Sequence, residues 1–309
     1  MLTRRIGSLE VTVVGVGCNN FGVRIDEPRT HAVIDAALDA GINFFDTADV
    51  YGDSHSEELL GRALRGRRNR AIIATKFGVS RGKCTGGAKP EYVRSACDAS
   101  LARLGVDVID LYQLHMPDPT VPIADTLGAM DGLVKAGKVR EIGCSNFTLP
   151  QLREATAAVK PGAARFVSLQ NELSLVKRDA RQELLPECSR TGVAFLPYFP
   201  LASGLLTGKY RKGAAPPAGA RLSVGGAHFD GQLNEAALST VEDLVTFAAA
   251  RHHTILELAF AWLLSHAPVA SVIAGATAPL QVQANAAAAH WEPSTSDLEA
   301  LEAVLRRAR

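Results

Sequence analysis

Short apolar runs alternate with longer amphipathic segments along almost the whole chain. Eight apolar runs predict strands at Val11–Val16, Ile42–Phe45, Ala71–Thr75, Val108–Leu114, Val139–Cys144, Phe166–Leu169, Val193–Leu196 and Ser271–Ile273. Apolar residues at helical spacing predict helices between them at Thr30–Ala40, Ser56–Leu64, Pro90–Leu104, Ile123–Ala136 and Pro150–Ala158. Because alternating strands and helices favour a parallel sheet, and eight strands can close on themselves, the pattern predicts a (β/α)8 TIM barrel.

An open, doubly wound sheet is the alternative arrangement for the same alternation of elements. That fold typically carries a Gly-x-Gly-x-x-Gly turn after its first strand. The corresponding segment here, Gly15-Val16-Gly17-Cys18-Asn19-Asn20, lacks the third glycine. The barrel is therefore favoured, and we expect residues 1–309 to form one domain.

Segments outside the eight repeats predict additions to the barrel. Residues Arg4–Val11 have the pattern of a hairpin with a two-residue Gly-Ser turn, which we expect to cover the bottom of the barrel. Two long insertions, Gly78–Lys89 and Arg211–Gln232, follow strand ends and are interpreted as mobile walls or lids, with ordinary exposed loops as the alternative. An extra C-terminal helix is predicted at Thr295–Arg307.

Composition and charge exclude several classes of function. The chain has 309 residues with 47% hydrophobic and 21% charged residues, and its net charge of +1 gives no global field to attract nucleic acid or an anionic membrane. The longest apolar run, Leu258–Leu264, is far shorter than the ~20 residues that span a bilayer, and Glu10 interrupts any signal sequence. Five scattered cysteines without a Cys-x-x-Cys pair indicate reduced thiols in a cytoplasmic protein, and no metal ligand is assigned.

Polar residues follow the ends of five successive predicted strands. They are Asp46 and Tyr51 after the second strand, Lys76 after the third, His115 after the fourth, Ser145 and Asn146 after the fifth, and Gln170 after the sixth. In a barrel, residues just beyond the carboxyl ends of the strands converge on one mouth. Each residue alone has an ordinary explanation as a loop or surface group, but their shared register favours a common site.

The first of these residues suit proton transfer. A tyrosine hydroxyl has a pKa near ~10, so it is a poor acid or base at neutral pH unless its surroundings shift it. We expect the positive charge of Lys76 to lower the pKa of Tyr51, and Asp46 to hold Lys76 in its charged form. The three residues predict a proton-handling site.

The motifs that carry these residues resemble those of the aldo-keto reductases over nearly the whole chain. The resemblance rests on Asp46-Thr47-Ala48-x-x-Tyr51-Gly52, Lys76, Leu114-His115, Gly143-x-Ser145-Asn146-Phe147, Gln170 and the segment Gly275–Asn285. It implies a catalytic tetrad of Tyr51, Lys76, Asp46 and His115 at the mouth of the barrel, beside an extended nicotinamide cofactor. It also implies hydride transfer between NADP(H) and the carbonyl or alcohol of an aldehyde, ketone or sugar-like substrate. In that reaction Tyr51 is the general acid or base, and His115 orients the carbonyl.

The same resemblance implies cofactor contacts residue by residue. Ser145, Asn146 and Gln170 match positions that hold the nicotinamide carboxamide, and Tyr198 matches the aromatic residue that stacks on the ring. Lys209 lies in the loop that resembles the pyrophosphate cradle, where it supplies a positive charge. The full predicted set is Cys18, Ser145, Asn146, Gln170, Tyr198, Pro200, Leu201, Ser203, Gly204, Lys209, Gly275, Thr277, Gln281 and Asn285.

The adenosine end departs from many relatives, which place Lys or Arg after the eighth strand to hold a 2′-phosphate. The segment Ala274–Asn285 contains no charged residue, although Gly275 and Thr277 precede a helix and can offer donors to an anion. NADP(H) is expected in preference to NAD(H) from the family's pattern, and NAD(H) stays open. Arg221, in the second insertion, is a candidate for the missing cation.

The expected partner is a small carbonyl or alcohol compound, in a pocket lined by Phe21, Phe77, Met116 and Trp291. The aromatic side chains predict an apolar pocket with little charge for acids. No nucleic-acid or membrane partner is expected. No helix shows an unclaimed apolar stripe, so the sequence predicts no oligomeric state.

Two other functions stay open. Channel-associated members of the same family are non-catalytic, NADP(H)-binding regulatory subunits, but those relatives lack a histidine at the position of His115. A non-redox isomerase or aldolase using Lys76 as a Schiff base would leave Ser145, Asn146 and Gln170 unexplained.

Overall fold

The protein is represented by a computed structural model that describes residues 1–80, 82, 84–217, 220–224 and 233–307, with only the backbone of 221, 224 and 307. The strands in these ranges are β1 (Thr3–Ile6), β2 (Leu9–Thr12), β3 (Val14–Gly17), β4 (Phe44–Asp46), β5 (Ile72–Phe77), β6 (Ile109–Leu114), β7 (Val139–Ser145), β8 (Phe166–Glu172), β9 (Ala194–Tyr198) and β10 (Val272–Gly275).

Eight of these strands form one parallel sheet in the order β10-β3-β4-β5-β6-β7-β8-β9. The sheet closes where Phe195 of β9 makes a parallel bridge to Val269, just before β10. Phe195 donates its amide to the Pro268 carbonyl at 2.6 Å and accepts one from Ala270 at 3.0 Å. The predicted eight-stranded barrel is confirmed.

Helices connect the strands and cover the outside of the barrel. They are α1 (Glu27–Asp39), α2 (His55–Ala63), α3 (Pro90–Leu104), α4 (Ile123–Lys135), α5 (Leu149–Ala157), α6 (Ala180–Thr191), α7 (Arg221–Val224), α8 (Glu235–Ala249), α9 (Ile255–Leu264), α10 (Pro279–Ala288) and α11 (Thr295–Arg307), with short 3-10 helices at Arg68–Arg70 and Ala202–Thr207. The extra C-terminal helix is therefore confirmed. Among the described helices, none has the length and apolar character needed to cross a bilayer.

The hairpin β1–β2 closes the bottom of the barrel. Its strands pair antiparallel with Ile6 opposite Leu9, so residues 7 and 8 form the two-residue turn. Ile6 and Leu9 are buried in one cluster with Phe44 and Leu111, whose side chains fill the lower barrel. The hairpin keeps these apolar ends from water, as expected from its pattern.

The first predicted strand, Val11–Val16, is divided in the structure. Its first residues belong to β2 and its last to β3, because the chain turns between Thr12 and Val14. The Thr12 hydroxyl donates to the Val14 carbonyl at 2.8 Å, and the Thr12 amide donates to the Asn43 side chain at 2.8 Å. Side-chain bonds of this kind compete with a continuous strand.

The two insertions are only partly described. Residues 81 and 83 of Gly78–Lys89 and residues 218, 219 and 225–232 of Arg211–Gln232 lie outside the described ranges, as does the side chain of Arg221. Within the second insertion, buried Leu222 of α7 donates its amide to the Tyr210 hydroxyl at 3.1 Å. That part packs on the barrel, and motion of the insertions stays a prediction.

Candidate active site

A cavity of about 740 Å³ opens at the carboxyl ends of the barrel strands. Three members of the predicted tetrad line it: Asp46, Tyr51 and His115. Thirteen of the fourteen predicted cofactor residues also line it: Ser145, Asn146, Gln170, Tyr198, Pro200, Leu201, Ser203, Gly204, Lys209, Gly275, Thr277, Gln281 and Asn285. Because these residues come from strands β4 to β10 and from the segments that follow them, barrel closure brings distant parts of the sequence to one surface.

A chain of polar contacts links three residues of the tetrad. The Lys76 ammonium donates to Asp46 Oδ2 at 2.5 Å, to the Thr47 carbonyl at 2.8 Å and to the Tyr51 hydroxyl at 3.4 Å. Lys76 is fully buried and does not line the cavity, so it acts on the cavity through its contacts with Tyr51 and Asp46. Asp46 is 3% exposed, and the pair is therefore screened little by solvent.

A tight turn after β4 presents Tyr51 to the cavity. The Tyr51 amide donates to the Ala48 carbonyl at 3.2 Å, and the Ser54 hydroxyl donates to the Asp49 carbonyl at 2.8 Å. Gly52 has φ +59°, and a Cβ there would lie 2.9 Å from the Phe21 carbonyl oxygen. A side chain at this position would be strained by the backbone conformation and would displace the loop after β3. The glycine of the motif thus lets the turn dock against that loop.

Burial governs the ionisation of Tyr51 and Lys76. Burial raises the pKa of Tyr51 above its ordinary value, and the nearby Lys76 charge opposes this only in part. Lys76 lowers the pKa of Tyr51 as expected, but desolvation of the phenolate outweighs this effect, so the net shift is upward and the expected net lowering is wrong. Burial alone would lower the pKa of Lys76, but Asp46 and Tyr51 outweigh it and the Lys76 pKa is raised. At neutral pH the site holds a charged lysine and a protonated tyrosine.

His115 stands beside Tyr51 in its neutral form. The two rings meet edge to face, with centroids 5.8 Å apart and planes at 81°. Burial and the Lys76 charge lower the pKa of His115 to about 3. Its Nδ1 is buried and makes no hydrogen bond to any described residue. A neutral imidazole has one N–H donor, which suits it to bind a carbonyl oxygen.

Side chains at the ends of β7, β8 and β9 form a hydrogen-bonded polar wall of the cavity. The Ser145 hydroxyl donates to the Gln170 carbonyl at 2.8 Å, and the Tyr198 hydroxyl donates to Asn146 Oδ1 at 2.8 Å. Asn146 has φ +63° and donates its side-chain amide to the His115 carbonyl at 2.9 Å. Strained backbone that neighbouring contacts hold in place is common at functional sites.

The loop after β9 folds into the 3-10 helix Ala202–Thr207 and brings a cation to the cavity. Ser203 and Gly204 have φ +58° and +96°. A Cβ at Gly204 would lie 2.9 Å from Lys209 Nζ, which itself lies 5.3 Å from the centroid of the Tyr210 ring. Because Gly204 has no side chain, the Lys209 ammonium can approach the backbone of the 3-10 helix closely. Positive charge and backbone groups therefore lie together at this wall of the cavity.

The opposite end of the cavity has no charged side chain in the segment after β10. The Thr277 amide and hydroxyl donate to Gln281 Oε1 at 2.7 and 3.2 Å, which fixes this turn before α10. Asn285 is 6% exposed and lines the same end. The residues present are those of a neutral, hydrogen-bonding surface.

Four predicted site residues lie away from the cavity and are corrected. Cys18, Phe21 and Phe77 are fully buried in the core between sheet and helices, where Phe77 stacks on Tyr112 with centroids 4.7 Å apart. Trp291 stacks on His253 at 4.0 Å in the outer helical layer. Apolar packing explains these positions. Of the four predicted pocket residues, only Met116, 42% exposed, lines the cavity.

Several cavity residues escaped the sequence analysis. Asn19 and Arg24, from the loop after β3, line the cavity together with Asn20, and Asn19 and Asn20 lie beside Gly275, so the wall is more polar than expected. Gln113 of β6 lies behind Asp46 and donates its side-chain amide to Asp46 Oδ1 at 3.2 Å. A signal for Gln113 was available, since it is a polar residue two positions before His115 on the same face of the strand as Leu111.

Comparison with known proteins decides the family. The sequence profile of the "Aldo/keto reductase family" matches residues 13–306. The chain belongs to the aldo/keto reductase family. It is 37% identical over 308 residues to "Probable aldo-keto reductase 1" of Glycine max, covering 96% of this chain and 86% of that protein. Membership of this family of oxidoreductases supports a nicotinamide-dependent function.

Solved structures of aldo/keto reductases share the fold of this chain. A glycerol dehydrogenase from Gluconobacter oxydans superposes with a TM-score of 0.86 at 29% identity, covering 99% of this chain and 95% of the other. An aldo/keto reductase from Klebsiella pneumoniae, solved with NADP and acetate, gives a TM-score of 0.75 at 27% identity over 96% and 92% of the two chains. The Klebsiella protein is thus a family member captured with a nicotinamide dinucleotide.

Proposed function

We propose that this aldo/keto reductase transfers a hydride between NADP(H) and the carbonyl or alcohol of an aldehyde, ketone or sugar-like substrate. Tyr51 is the general acid in reduction and, as tyrosinate, the base in oxidation. The observation that carries the proposal is the chain of contacts from Asp46 through Lys76 to Tyr51 beside the cavity.

The cavity fits a nicotinamide dinucleotide in size and in the groups it offers. Its volume of about 740 Å³ lies in the range of cofactor sites. The residues that would hold the cofactor are Ser145, Asn146 and Gln170 for the carboxamide, Tyr198 for the ring, and Lys209 for the pyrophosphate. When bound, the cofactor supplies the hydride chemistry.

The protein side chains handle the proton and orient the substrate. A carbonyl that accepts a hydride develops negative charge on oxygen, and this oxygen needs a proton donor and a hydrogen-bond donor. Tyr51 is protonated at neutral pH and can donate, while neutral His115 can bind the same oxygen. Lys76 stays charged and stabilises the tyrosinate left after transfer, and Asp46 fixes Lys76. In the reverse direction the tyrosinate takes the alcohol proton.

Two observations disfavour the other functions. A Schiff-base lysine must be exposed to substrate and neutral, whereas Lys76 is fully buried, paired with Asp46 and has a raised pKa. A purely regulatory subunit has no need of a histidine beside the tyrosine, and His115 lies 5.8 Å from Tyr51, ring to ring. The catalytic function is therefore the better supported.

Replacement of Tyr51 tests the reaction. With a panel of aldehydes, ketones and sugars, Tyr51→Phe should reduce NADPH turnover by roughly 10²–10⁴-fold, as for loss of a general acid. NADPH binding, followed by fluorescence, should persist. Tyr112→Phe is the matched control, because Tyr112 is fully buried in the core and lies away from the cavity. Wild-type turnover in Tyr51→Phe would rule out the proposed role.

The preference for NADP(H) is a separate proposal. It is supported by the relative solved with NADP and by two basic residues lining the cavity, Arg24 and Lys209. Fluorescence titration with NADPH and NADH should show tighter binding of NADPH. If Arg221 contributes the cation for the 2′-phosphate, Arg221→Ala should weaken NADPH binding and leave NADH binding unchanged. Equal NADPH affinity in that variant would exclude Arg221.

A further inference from the structure

The carboxylate of Asp46 is held by two side-chain amides in addition to Lys76. Gln113 Nε2 donates to Asp46 Oδ1 at 3.2 Å, and Gln170 Nε2 donates to the same oxygen at 3.0 Å. The other oxygen, Oδ2, faces Lys76 at 2.5 Å. Each oxygen of the carboxylate therefore has a separate set of donors.

The two glutamines differ in what else they can reach. Gln170 lines the cavity, where it can contact a cofactor. Gln113 is fully buried and lies behind the cavity wall, so its contact with the site runs through Asp46. Any effect of Gln113 on the reaction must pass through the position of that carboxylate.

The orientation of the Gln113 amide is set by Asp46. A carboxylate only accepts hydrogen bonds, so the amide must turn its Nε2 toward Asp46. Its Oε1 is then buried without a hydrogen-bond partner among the described residues. An unpaired buried acceptor is unfavourable, and an apolar side chain of similar size would avoid it. The unpaired Oε1 therefore destabilises the fold, while the hydrogen bond from Nε2 to Asp46 offsets this effect.

The geometry of the barrel explains why the side chains of Asp46 and Gln113 meet. Asp46, Gln113 and Gln170 come from β4, β6 and β8, and alternate strands of a barrel contribute side chains to one interior layer. We propose that Gln113 is a positioning residue: its amide fixes Asp46 Oδ1 so that Oδ2 faces Lys76 and Lys76 faces Tyr51. This inference rests on the proposed proton transfer from Tyr51.

Gln113→Met tests the inference directly, since it keeps the volume and removes the donor. We expect the single-turnover rate of NADPH oxidation by para-nitrobenzaldehyde to fall roughly tenfold or more, the usual effect of losing a hydrogen bond to a charged group. The dissociation constant for NADPH and the melting temperature should stay near those of the wild type. Single-turnover rates are used because product release can mask the chemical step.

Ser168→Ala is the matched control. Ser168 is also buried in the barrel, and its hydroxyl likewise makes no hydrogen bond to a described residue. It lies two residues before Gln170 on β8, and its hydroxyl makes no hydrogen bond to Asp46. This variant should keep the wild-type single-turnover rate, which separates loss of the Asp46 contact from general repacking of the interior.

Gln113→Glu provides a signature that a space-filling role would not give. The introduced carboxyl, when protonated, can donate to Asp46 Oδ1, but when ionised it repels Asp46. The single-turnover rate relative to wild type should therefore fall as the pH rises. A ratio independent of pH would contradict the inference.

The outcomes distinguish this inference from the proposed function. If Gln113→Met keeps the wild-type rate while Tyr51→Phe is inactive, the positioning role of Gln113 is wrong and the function of Tyr51 stands. If Tyr51→Phe retains turnover, the proposed function itself is wrong. A slowed Gln113→Met that also loses NADPH affinity would mean that the residue acts on the cofactor site, which overturns the inference as well.

Discussion

Two buried carboxyls, three residues apart in one motif, have opposite surroundings. Asp46 points into the barrel, where Lys76, Gln113 and Gln170 donate to its two oxygens. Asp49 is 1% exposed, and neither of its oxygens makes a hydrogen bond of standard geometry to a described residue. The first carboxyl is part of an ion pair, whereas the second is buried without such support.

The neighbours of Asp49 explain its ionisation. Burial and the charge of nearby Glu57 raise the pKa of Asp49 to about 7, against opposing effects of the Cys84 thiol, the Arg103 charge and the Val50 amide. Arg103 is engaged by Glu57 at 2.7 Å and is not available to Asp49 as a direct partner. The comparison teaches that burial alone does not decide whether a carboxyl is paired; the placement of hydrogen-bond donors around it does.

The largest expected effect comes from removing the paired carboxyl. Asp46→Asn leaves Lys76 buried without its counter-charge, which should lower the free energy of unfolding by about 3–5 kcal/mol. Turnover should also fall, by roughly 10²–10⁴-fold, since Tyr51 loses its fixed neighbour. Urea unfolding and NADPH oxidation measure the two effects. A variant as stable as wild type would mean that the ion pair contributes nothing to folding.

Removal of the unpaired carboxyl, Asp49, should have the opposite effect and raise the free energy of unfolding. Because the folded pKa of Asp49 is raised from 3.8 to about 7, the folded state binds more protons than the unfolded state between these pH values. Its contribution to stability is present at acid pH and is lost as the pH rises through about 7. Asp49→Asn should therefore be more stable than wild type at pH ~8, on the order of 2 kcal/mol and at most about 4 kcal/mol.

Urea unfolding of both proteins across pH ~5 to ~8 checks this prediction. The difference should grow with pH, as the linkage requires. A constant difference across the range would contradict the assignment of Asp49 as the titrating group. Asp53→Asn, in the same turn, is a suitable control, because Asp53 is exposed.

A smaller effect, on the pKa of Asp49, is expected from replacing its neighbour Glu57. Glu57→Gln removes one of the charges that raise the pKa of Asp49, so this pKa should fall but stay above its ordinary value, since burial is the larger cause. Carbon-detected NMR of the Asp49 carboxyl measures it directly. An unchanged titration would show that burial alone raises the Asp49 pKa.

The smallest effect is expected for His115, whose ring should not titrate near neutral pH. With its pKa lowered to about 3, His115 should stay neutral above pH ~5, and its ring resonances should not move between pH ~5 and ~8. His115 contributes stability above the ordinary histidine pKa, which is lost as the pH falls toward 3. A midpoint near pH ~6.5 would mean that the ring is solvated.

Much of the site could be predicted from the polar residues at the strand ends. Some of the wrong predictions could have been avoided from the sequence. Lys76 and Phe77 are consecutive on β5, and successive side chains face opposite sides of a sheet. Since Lys76 faces the barrel interior, Phe77 must face the helices. The same alternation on β6 places Gln113 inside and Tyr112 outside. The positions of Phe21 and Trp291 had no such signal, because loops have no period.

The sequence by itself determined the order of elements, the closing hairpin and the motif that carries Asp46 and Tyr51. These depend on local periodicity and on short turns, so they can be predicted from neighbouring residues. That residues 1–309 form one domain stays a prediction. Only the tertiary structure decided that Asp46 pairs with Lys76 whereas Asp49 is buried with a raised pKa, and that burial raises the pKa of Tyr51. Ionisation depends on donors supplied by strands far apart in sequence, and barrel closure alone sets those distances.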